Sequence, residues 1–492
     1  MPSDPAQSSQ ARFTSGSILR HVVTMSVTGA VGLVSLFLVD LADMFFLSLL
    51  GEVELAAAVG FAGTILFFTT SISIGLSIAM GALVSRAIGS GGQEAARRFA
   101  VNNFLFGVIC AVVVVAILWP SIPVLLSALG ATGRTHELAT GYLRIVVPSM
   151  PLLSIGMSSG AVLRATGDAR RAMYIALSGG LANAIFDPIL IFGLDLGIDG
   201  AATASVIART TIAVTGLYGV VRVHQMIGSF KASAFLADLK AIVGVAGPAT
   251  LTSVATPIGY AYVTAAIAKY GDGAVAGYAI VGRVTPVAFA LFFSLSGAVG
   301  PIIGQNLGAG KLDRVSRTLV ESLKFIGVYT LLLWALLYAM QEPIIWTFDA
   351  SPEAATLIRA FCLWVVPLTF FLGALFVANA AFNNLGRAVY ATAANFGRAT
   401  LGTIPFVYVG GQLYGAVGVI VGQAIGAMVF GTLAMALCFW VVARMAPTAA
   451  KADTRFRWRT PLSAFSSGRV YNVAPEELVE QSEKSSKGDS DR

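Results

Sequence analysis

Residues 146–151 read VVPSMP and residues 365–370 read VVPLTF, so one proline-containing motif occurs twice at an offset of 219 residues. Several glycines keep this offset: Gly89, Gly91 and Gly167 return as Gly308, Gly310 and Gly386. Near the end of each copy, GIDG at 197–200 corresponds to GAVG at 415–418, where the offset is 218. The chain therefore contains two tandem copies of one unit in the same order, with one residue lost between these motifs.

The composition places both copies in a membrane. Hydrophobic residues make up 56% of the 492 residues, charged residues only 12%, and the mean hydropathy is +0.80. A soluble domain carries about 25% charged residues. The three cysteines, Cys110, Cys362 and Cys438, lie in apolar stretches, which indicates small buried side chains and neither a disulfide nor a metal site.

Twelve apolar stretches of about 20 residues or more can each cross a bilayer as a helix. Their approximate cores are 18–46, 54–84, 99–126, 139–162, 172–193, 199–222, 241–267, 274–304, 318–340, 355–379, 388–410 and 415–443. Six crossings per copy is an even number, so both copies enter the membrane from the same side as parallel repeats. The predicted fold class is an all-α polytopic membrane protein with twelve transmembrane helices in two six-helix bundles that form a V.

The loops on one side of these stretches are basic. Arginines and lysines follow the even-numbered stretches, as at 97–98, 170–171 and 311–317, whereas acids such as Glu54 and Asp349 dominate the other loops. The positive-inside rule places the basic loops and both termini in the cytoplasm. These loops account for the net charge of +7, and no nucleic acid is needed as a partner. We predict a multi-pass protein of the inner cell membrane.

The same pattern divides the chain into five parts. Residues 1–16 and 445–492 are small, polar or charged and are predicted to be disordered cytoplasmic tails. The N-lobe is predicted at 17–223 and the C-lobe at 241–444. Residues 224–240 between them are predicted to be a cytoplasmic linker.

Ionisable side chains inside the predicted spans indicate function, because a charge in hydrocarbon costs several kcal/mol. These are Asp40, Asp43, Asp187, Arg209 and Arg283. Asn183 and Asp187 are four residues apart and share a helix face. With Asp43 and the hydroxyl of Ser205 they form an all-oxygen set, which suits a proton or a hard cation such as sodium and is unlike a thiolate or imidazole metal site.

The second copy has no acidic residue in spans 7, 8 and 10–12, and its nearest polar cluster is Asn379, Asn383 and Asn384. Coupling is therefore expected in the first lobe alone. Purely structural interpretations stay open. Asn183 and Asp187 could be a buried hydrogen-bonded pair that only fixes helix packing, and Asp40 could also have only a structural role. Arg209 and Arg283 could balance a carboxylate or a helix end.

Motifs around the acidic residues have a specific order and spacing. They are LADMFFLSLLGEVELAAAVG at 41–60, VSR at 84–86 with Gly89 and Gly91, LRATGD at 163–168, and NAIFDP at 183–188 with Gly197, Gly200 and Ala201. Together they make residues 17–444 resemble the MATE (multidrug and toxic compound extrusion) transporters, and within them the DinF-like branch.

The resemblance implies residue roles. The family's span-1 aspartate falls on Asp43, its span-5 asparagine and aspartate fall on Asn183 and Asp187, and its span-6 threonine falls on Ser205. In the DinF-like branch such first-lobe carboxylates couple transport to protons, and sodium has also been argued. Asp40 is an additional acid three residues before Asp43.

One family feature is absent. The family usually has a proline early in span 1, where this chain has Thr28 followed by Gly29. Gly29 and Gly32 could still permit a bend, since kinks also occur at small-residue pairs.

These observations predict a secondary active multidrug efflux antiporter, which exports cationic or amphipathic organic compounds in exchange for protons or sodium. Phe45, Arg283 and Asn379 are expected to line the substrate cavity. The predicted partners are drug-like small molecules and the bilayer, with no cofactor, and the chain is expected to be a monomer. An enzyme is disfavoured, because three histidines and scattered acids offer no catalytic constellation. The alternative is a lipid-linked oligosaccharide flippase of the same architecture, which would be expected to have a markedly cationic cavity.

Overall fold

The computed structural model describes residues 11–50 and 53–451, and almost all of them are helical. The helices in this part of the chain are α1 (Ile18–Ser48), α2 (Val53–Gly89), α3 (Gln93–Ala128), α4 (Gly133–Val146), α5 (Met150–Ala165), α6 (Ala169–Pro188), α7 (Gly197–Leu217), α8 (Ala232–Ala268), α9 (Asp272–Ala288), α10 (Ala290–Gly308), α11 (Leu312–Thr347), α12 (Pro352–Ala360), α13 (Val366–Asn384), α14 (Ala388–Ala399) and α15 (Ile404–Lys451). Helices α1–α7 form the N-lobe and α8–α15 the C-lobe.

The predicted twelve membrane passes agree with the structure once one turn is counted. Eleven helical stretches in the described residues are long and apolar enough to cross a membrane, and the last, Ala388–Met445, has 58 residues. That stretch is more than twice the length one pass requires. It turns back at Tyr414 and Gly415, where Gly415 has a φ of +60°, a value that favours glycine.

The two arms of this last hairpin touch backbone to backbone. A Cβ on Gly418 would clash with the carbonyl of Gly410, and one on Gly426 would clash with the carbonyl of Gly402. Small residues allow such close approach in membranes, where van der Waals packing is a main force between helices. The arms therefore form an antiparallel pair that supplies passes eleven and twelve.

The repeated proline motif interrupts one pass in each lobe. A 3₁₀ turn at Val147–Ser149 separates α4 from α5, and a π-helical turn at Phe361–Val365 separates α12 from α13. Proline removes one backbone donor and disfavours a regular helix before it. Each predicted span at this motif is thus two helical segments joined by an irregular turn.

The interhelical loops at one end of the molecule gather into a surface that we call the basic face, made by loops 90–92, 166–168, 224–231, 309–311 and 385–387. Asp168 there accepts a hydrogen bond from His224, and Arg98 forms an ion pair with Asp238. Asn102 also donates to the buried Asp238 carboxylate. The other ends of the helices form the opposite face, where Arg359 pairs with the exposed Glu342.

The lobes meet in the half of the molecule next to the basic face. Gly89 and Gly308 pack so tightly that added Cβ atoms would clash with the carbonyls of Gln305 and Arg86, respectively. Ser85 also hydrogen-bonds to Asn384 across the lobes. Every hydrogen bond found between the lobes in the described residues lies in this half.

Helix α1 runs without interruption past the position of the missing proline. Its two glycines are explained by close packing: a Cβ on Gly29 would clash with Ser294, and one on Gly32 would lie 3.1 Å from Ala176. Thr28 bonds back to the carbonyl of Thr24. The helix assignment of α1 is unbroken through these glycines.

Residues 11–16 correct the prediction of a disordered tail over 1–16. Phe13 is 2% exposed, its N–H donates to Gln305, and its carbonyl accepts from Asn306 and Arg314. Arg12 donates to the Gly167 carbonyl of the N-lobe. We call residues 11–16 the N-terminal strap, because they bind both lobes at the basic face. Residues 1–10 lie outside the described residues.

Two other predicted boundaries move. Helix α8 begins at Ala232, so the linker predicted at 224–240 is limited to 224–231, and the remainder starts the first C-lobe helix. Residues 445–451, which were predicted to belong to the disordered C-terminal tail, are the end of α15. Residues 452–492 lie outside the described residues.

Candidate functional site

The predicted site forms where α1 meets α6. Asn183 lies inside the buried face of α6, and its side-chain amide donates to both carboxylate oxygens of Asp43 at 2.9 Å. Asp43 is partly buried on α1. Residues 140 positions apart in the chain are thus held together, as their shared polarity predicted.

Asp187 lies one turn further along α6, with 0% exposure. Neither of its carboxylate oxygens receives a hydrogen bond in the described residues, and neither does Oδ1 of Asn183. The carboxyl of Asp43 is within hydrogen-bonding reach of Asp187. Two carboxyls in such contact can share one proton, because the protonated carboxyl donates a hydrogen bond to the ionised one.

The backbone after Asp187 is irregular. Pro188 ends α6, and a π-helical turn follows at Ile189–Gly193. Such turns are frequent at functional sites, since they re-aim side chains within a helix.

The remaining predicted residues flank this centre. Asp40 is exposed on α1, within electrostatic range of Asp43. Ser205 on α7 interacts with Tyr142 on α4, and Tyr142 is also within electrostatic range of Asp43 and Asp187. None of the three aspartates forms an ion pair in the part of the chain that is described.

Arg209 has a structural partner. Its guanidinium donates to the carbonyl of Val146 at 3.1 Å and to the hydroxyl of Ser149 at 2.9 Å. These groups belong to the irregular turn between α4 and α5, so Arg209 holds a helix end, which was one of the two interpretations open from the sequence.

The residues expected to line a substrate cavity do not form one cluster. Phe45 is 59% exposed on α1, and Arg283 is exposed on α9. Asn379 is only 6% exposed, and its carbonyl oxygen accepts from Asn395 at 2.9 Å. Asn379 therefore lies inside the C-lobe and is held by another helix.

Two residues of interest were absent from the sequence prediction. Tyr142 lies four residues before the repeated VVP motif and carries no charge, so no pattern marked it. Arg398 on α14 is a charge within the predicted span 388–410. A complete survey of ionisable residues in the spans would have found it.

Asp168 lies outside the spans, on the basic face. Burial alone raises the pKa of this carboxyl, but hydrogen bonds from His224 and Arg171 outweigh burial and hold the pKa well below its usual range. Asp168 also caps α6 through the backbone N–H of Arg171. It stays ionised and anchors the start of the helix that carries Asn183.

The α1–α6 site offers oxygen atoms that could bind a small cation. A proton or sodium would suit its oxygen ligands, which are the carboxyls of Asp43 and Asp187, the side-chain oxygen of Asn183 and the hydroxyl of Ser205. No group of three or more His, Cys, Asp or Glu side chains that could hold a metal was found in the described residues.

Comparison with known families decides the class of protein. The MatE family model matches residues 30–189 and 248–409, one segment in each lobe. The chain belongs to the MatE family. It is therefore a transporter and not an enzyme, as predicted. The DinF-like assignment within the family remains a prediction.

Curated relatives span nearly the whole MatE chain. A FAD transporter of Shewanella oneidensis is 29% identical over 445 residues, which cover 88% of this chain and 98% of that protein. The multidrug export protein MepA of Staphylococcus haemolyticus is 25% identical and covers 87% and 94%, respectively.

Solved MATE structures share the fold. A MATE transporter of Vibrio cholerae is 25% identical and superimposes with a TM-score of 0.82, covering 88% of this chain and 99% of its own. A multidrug resistance MATE transporter in an outward-facing conformation is 21% identical with a TM-score of 0.83, and the match covers 89% and 98%. The all-helical, two-lobed prediction is confirmed.

Proposed function

We propose that this MatE protein is a secondary active exporter of cationic or amphipathic organic compounds, driven by inward movement of protons through the N-lobe. The observation that carries the proposal is the pair Asp43 and Asp187. Asp187 is fully buried without a donor, beside a second carboxyl and without an arginine or lysine within ion-pair distance in the described residues. A proton is the smallest ligand that resolves this arrangement.

Sodium is the alternative coupling ion. The oxygens of Asn183 and Asp187 that lack hydrogen-bond donors would be ligands for it. Sodium requires ionised carboxylates, whereas a proton neutralises one of them, so the two ions predict opposite responses to external pH.

Orientation follows from the basic face. We propose that this face is cytoplasmic, because it carries the arginine-rich loops. Contact between the lobes on that side then makes the conformation outward-facing. Reporters fused after Arg98, Arg171 and Lys240 should report cytoplasm, and reporters near Glu54, Asp199 and Asp349 the exterior. Inversion of all six would overturn the export direction.

The relatives suggest candidate solutes of two kinds. One similar protein carries the name FAD transporter and others the name multidrug export protein. The lipid-linked oligosaccharide flippase is retained as a second function because of one observation, the buried Arg398 in the C-lobe, since a flippase is expected to need cationic groups.

Transport into everted membrane vesicles tests the proposal. Ethidium, FAD and a lipid-linked oligosaccharide would be offered separately, with a pH gradient or a sodium gradient imposed alone. Uptake of ethidium or FAD on the pH gradient, lost in Asp187→Asn, is the expected result. Uptake on the sodium gradient alone would refute proton coupling, and movement of only the lipid-linked compound would establish the flippase.

A further inference from the structure

Arg398 is a buried guanidinium in the C-lobe that the proposed coupling does not use. It is 9% exposed, and its Nε has no hydrogen-bond partner. Its Nη2 lies 3.5 Å from the hydroxyl of Thr256 on α8, the outer limit for a hydrogen bond. No carboxylate lies within ion-pair distance of it in the described chain.

The position of Arg398 makes this arrangement costly. It lies ten residues into α14, about 15 Å from the start of that helix, which is about half of the hydrocarbon thickness. An arginine at this depth is unfavourable unless it is paired or faces a polar cavity. Replacing it with an apolar residue would remove that cost, so its presence indicates a ligand.

The backbone beside Arg398 is interrupted. Helix α14 ends at Ala399 and α15 begins at Ile404, within a single membrane pass. Non-helical backbone at this depth is tolerated where protein or a cavity surrounds it, and interrupted spans commonly form substrate sites in transporters.

Two tyrosines lie in the same region of the C-lobe as the guanidinium. Tyr260, one turn after Thr256 on α8, is within electrostatic range of Arg398 and is 47% exposed. Tyr278 on α9 lies near Tyr260, and its buried hydroxyl has no hydrogen-bond partner. A cation, an unpartnered hydroxyl and an accessible ring together can recognise an anionic group attached to an aromatic ring.

We propose that Arg398 forms an anion site in the C-lobe, which binds the phosphate or carboxylate of an aromatic organic solute while Tyr260 contacts its ring. The site rests on the proposed function only in taking its ligand to be a transported solute. It adds a substrate class, organic anions with an aromatic group, to a transporter whose N-lobe site is acidic.

Binding to the purified full-length protein without any gradient tests the site. FAD and riboflavin share the isoalloxazine ring, but only FAD carries a diphosphate. Wild type is expected to bind FAD about 10-fold or more tighter than riboflavin. Arg398→Gln should remove this preference and leave riboflavin affinity unchanged, whereas Arg398→Lys should retain part of it. The preference should also weaken with added salt.

Arg359→Gln is the matched control, since Arg359 lies at the opposite face in an exposed ion pair; it should bind FAD as wild type does. Because no gradient is imposed in this binding measurement, its outcome is independent of the coupling that the transport assay tests. If Arg398→Gln does not fold, displacement of FAD but not riboflavin by inorganic pyrophosphate from wild type gives the same information.

Farnesyl diphosphate distinguishes a lipid headgroup from a soluble solute. If it binds in an Arg398-dependent manner and FAD does not, the assignment to a soluble aromatic solute is overturned. Equal preference for FAD in wild type and Arg398→Gln, or no preference in wild type, would overturn the anion site itself.

Discussion

The same pair of helices meets in each lobe, but with charges of opposite sign. In the N-lobe, α1 meets α6 through Asp43 and Asn183. At the offset of 219, these helices correspond to α8 and α14 in the C-lobe, which meet through Thr256 and Arg398. The repeat thus preserves which helices pair and where a polar contact lies, while substitution decides whether that contact favours a cation or an anion.

The packing of the last hairpin explains why the acidic pocket has no copy. The position that corresponds to Asn183 is Gly402, where a Cβ would lie 2.7 Å from the ring of Phe430 and 2.8 Å from the carbonyl of Arg398. Gly426 of the returning arm packs directly against the backbone of Gly402. No side chain fits there, so the polar contact of the C-lobe lies one turn earlier, at Arg398.

The largest expected effect comes from removing the N-lobe acids. Asp187→Asn and Asp43→Asn should each reduce gradient-driven efflux to the background of empty vesicles, because an amide cannot release the proton that a carboxyl carries. Asn383→Ala, a buried C-lobe change, should retain most of the activity. Efflux per molecule of inserted protein is the measurement, and equal losses in both lobes would contradict the asymmetry.

The packing that excludes an acidic pocket from the C-lobe can be tested at the contact between Gly426 and Gly402. Gly426→Val should destabilise the protein by about 1–3 kcal/mol or more, because the new side chain overlaps the Gly402 backbone. The midpoint of thermal unfolding in detergent should fall accordingly. Gly282→Ala is the control, since nothing lies within 4 Å of a Cβ there. An unchanged midpoint in Gly426→Val would mean that the hairpin is not packed as described.

The strap joins the two lobes, so Phe13→Ala should weaken their contact. A buried phenylalanine contributes about 3–5 kcal/mol in a core, and its loss should favour separation at the basic face. Ser85→Cys, with the three native cysteines replaced, would then react faster with a thiol reagent applied from that face. Arg20→Ala, an exposed change on α1, should leave the rate unaltered, and equal rates in both variants would exclude a closing role for the strap.

The smallest effect is expected from Asp168, outside the membrane. Because its pKa is lowered in the folded state, the carboxylate contributes stability above the unfolded value near 4 and loses that contribution as pH falls below it. Asp168→Asn should therefore cost about 1–3 kcal/mol near pH 7, and the gap from wild type should narrow below about pH 4. Thermal midpoints of both proteins between pH 3 and 8 measure this, and a gap that does not change with pH would contradict it.

The sequence predicted features that depend on neighbours along the chain. Hydropathy located the passes, and the spacing of Asn183 and Asp187 predicted their shared face. The sequence did not predict the role of Phe13, which hydrogen-bonds to Gln305, 292 residues later in the chain. A polar segment with a single phenylalanine is interpreted as a disordered tail as long as the residues that contact the phenylalanine are unknown. The place of Arg398 likewise depends on packing between α8, α14 and the last hairpin.

The position of the strap in the chain also affects the order in which the protein assembles. Phe13 leaves the ribosome 292 residues before Gln305, a delay of about 15–60 s at typical rates of synthesis. The N-lobe is made before the C-lobe partners of Phe13 exist, so the contacts of Phe13 with Gln305 and Asn306 form only after α10 has joined it. Residues 11–16 are thus synthesised well before their C-lobe partners, and completion of the strap requires both lobes.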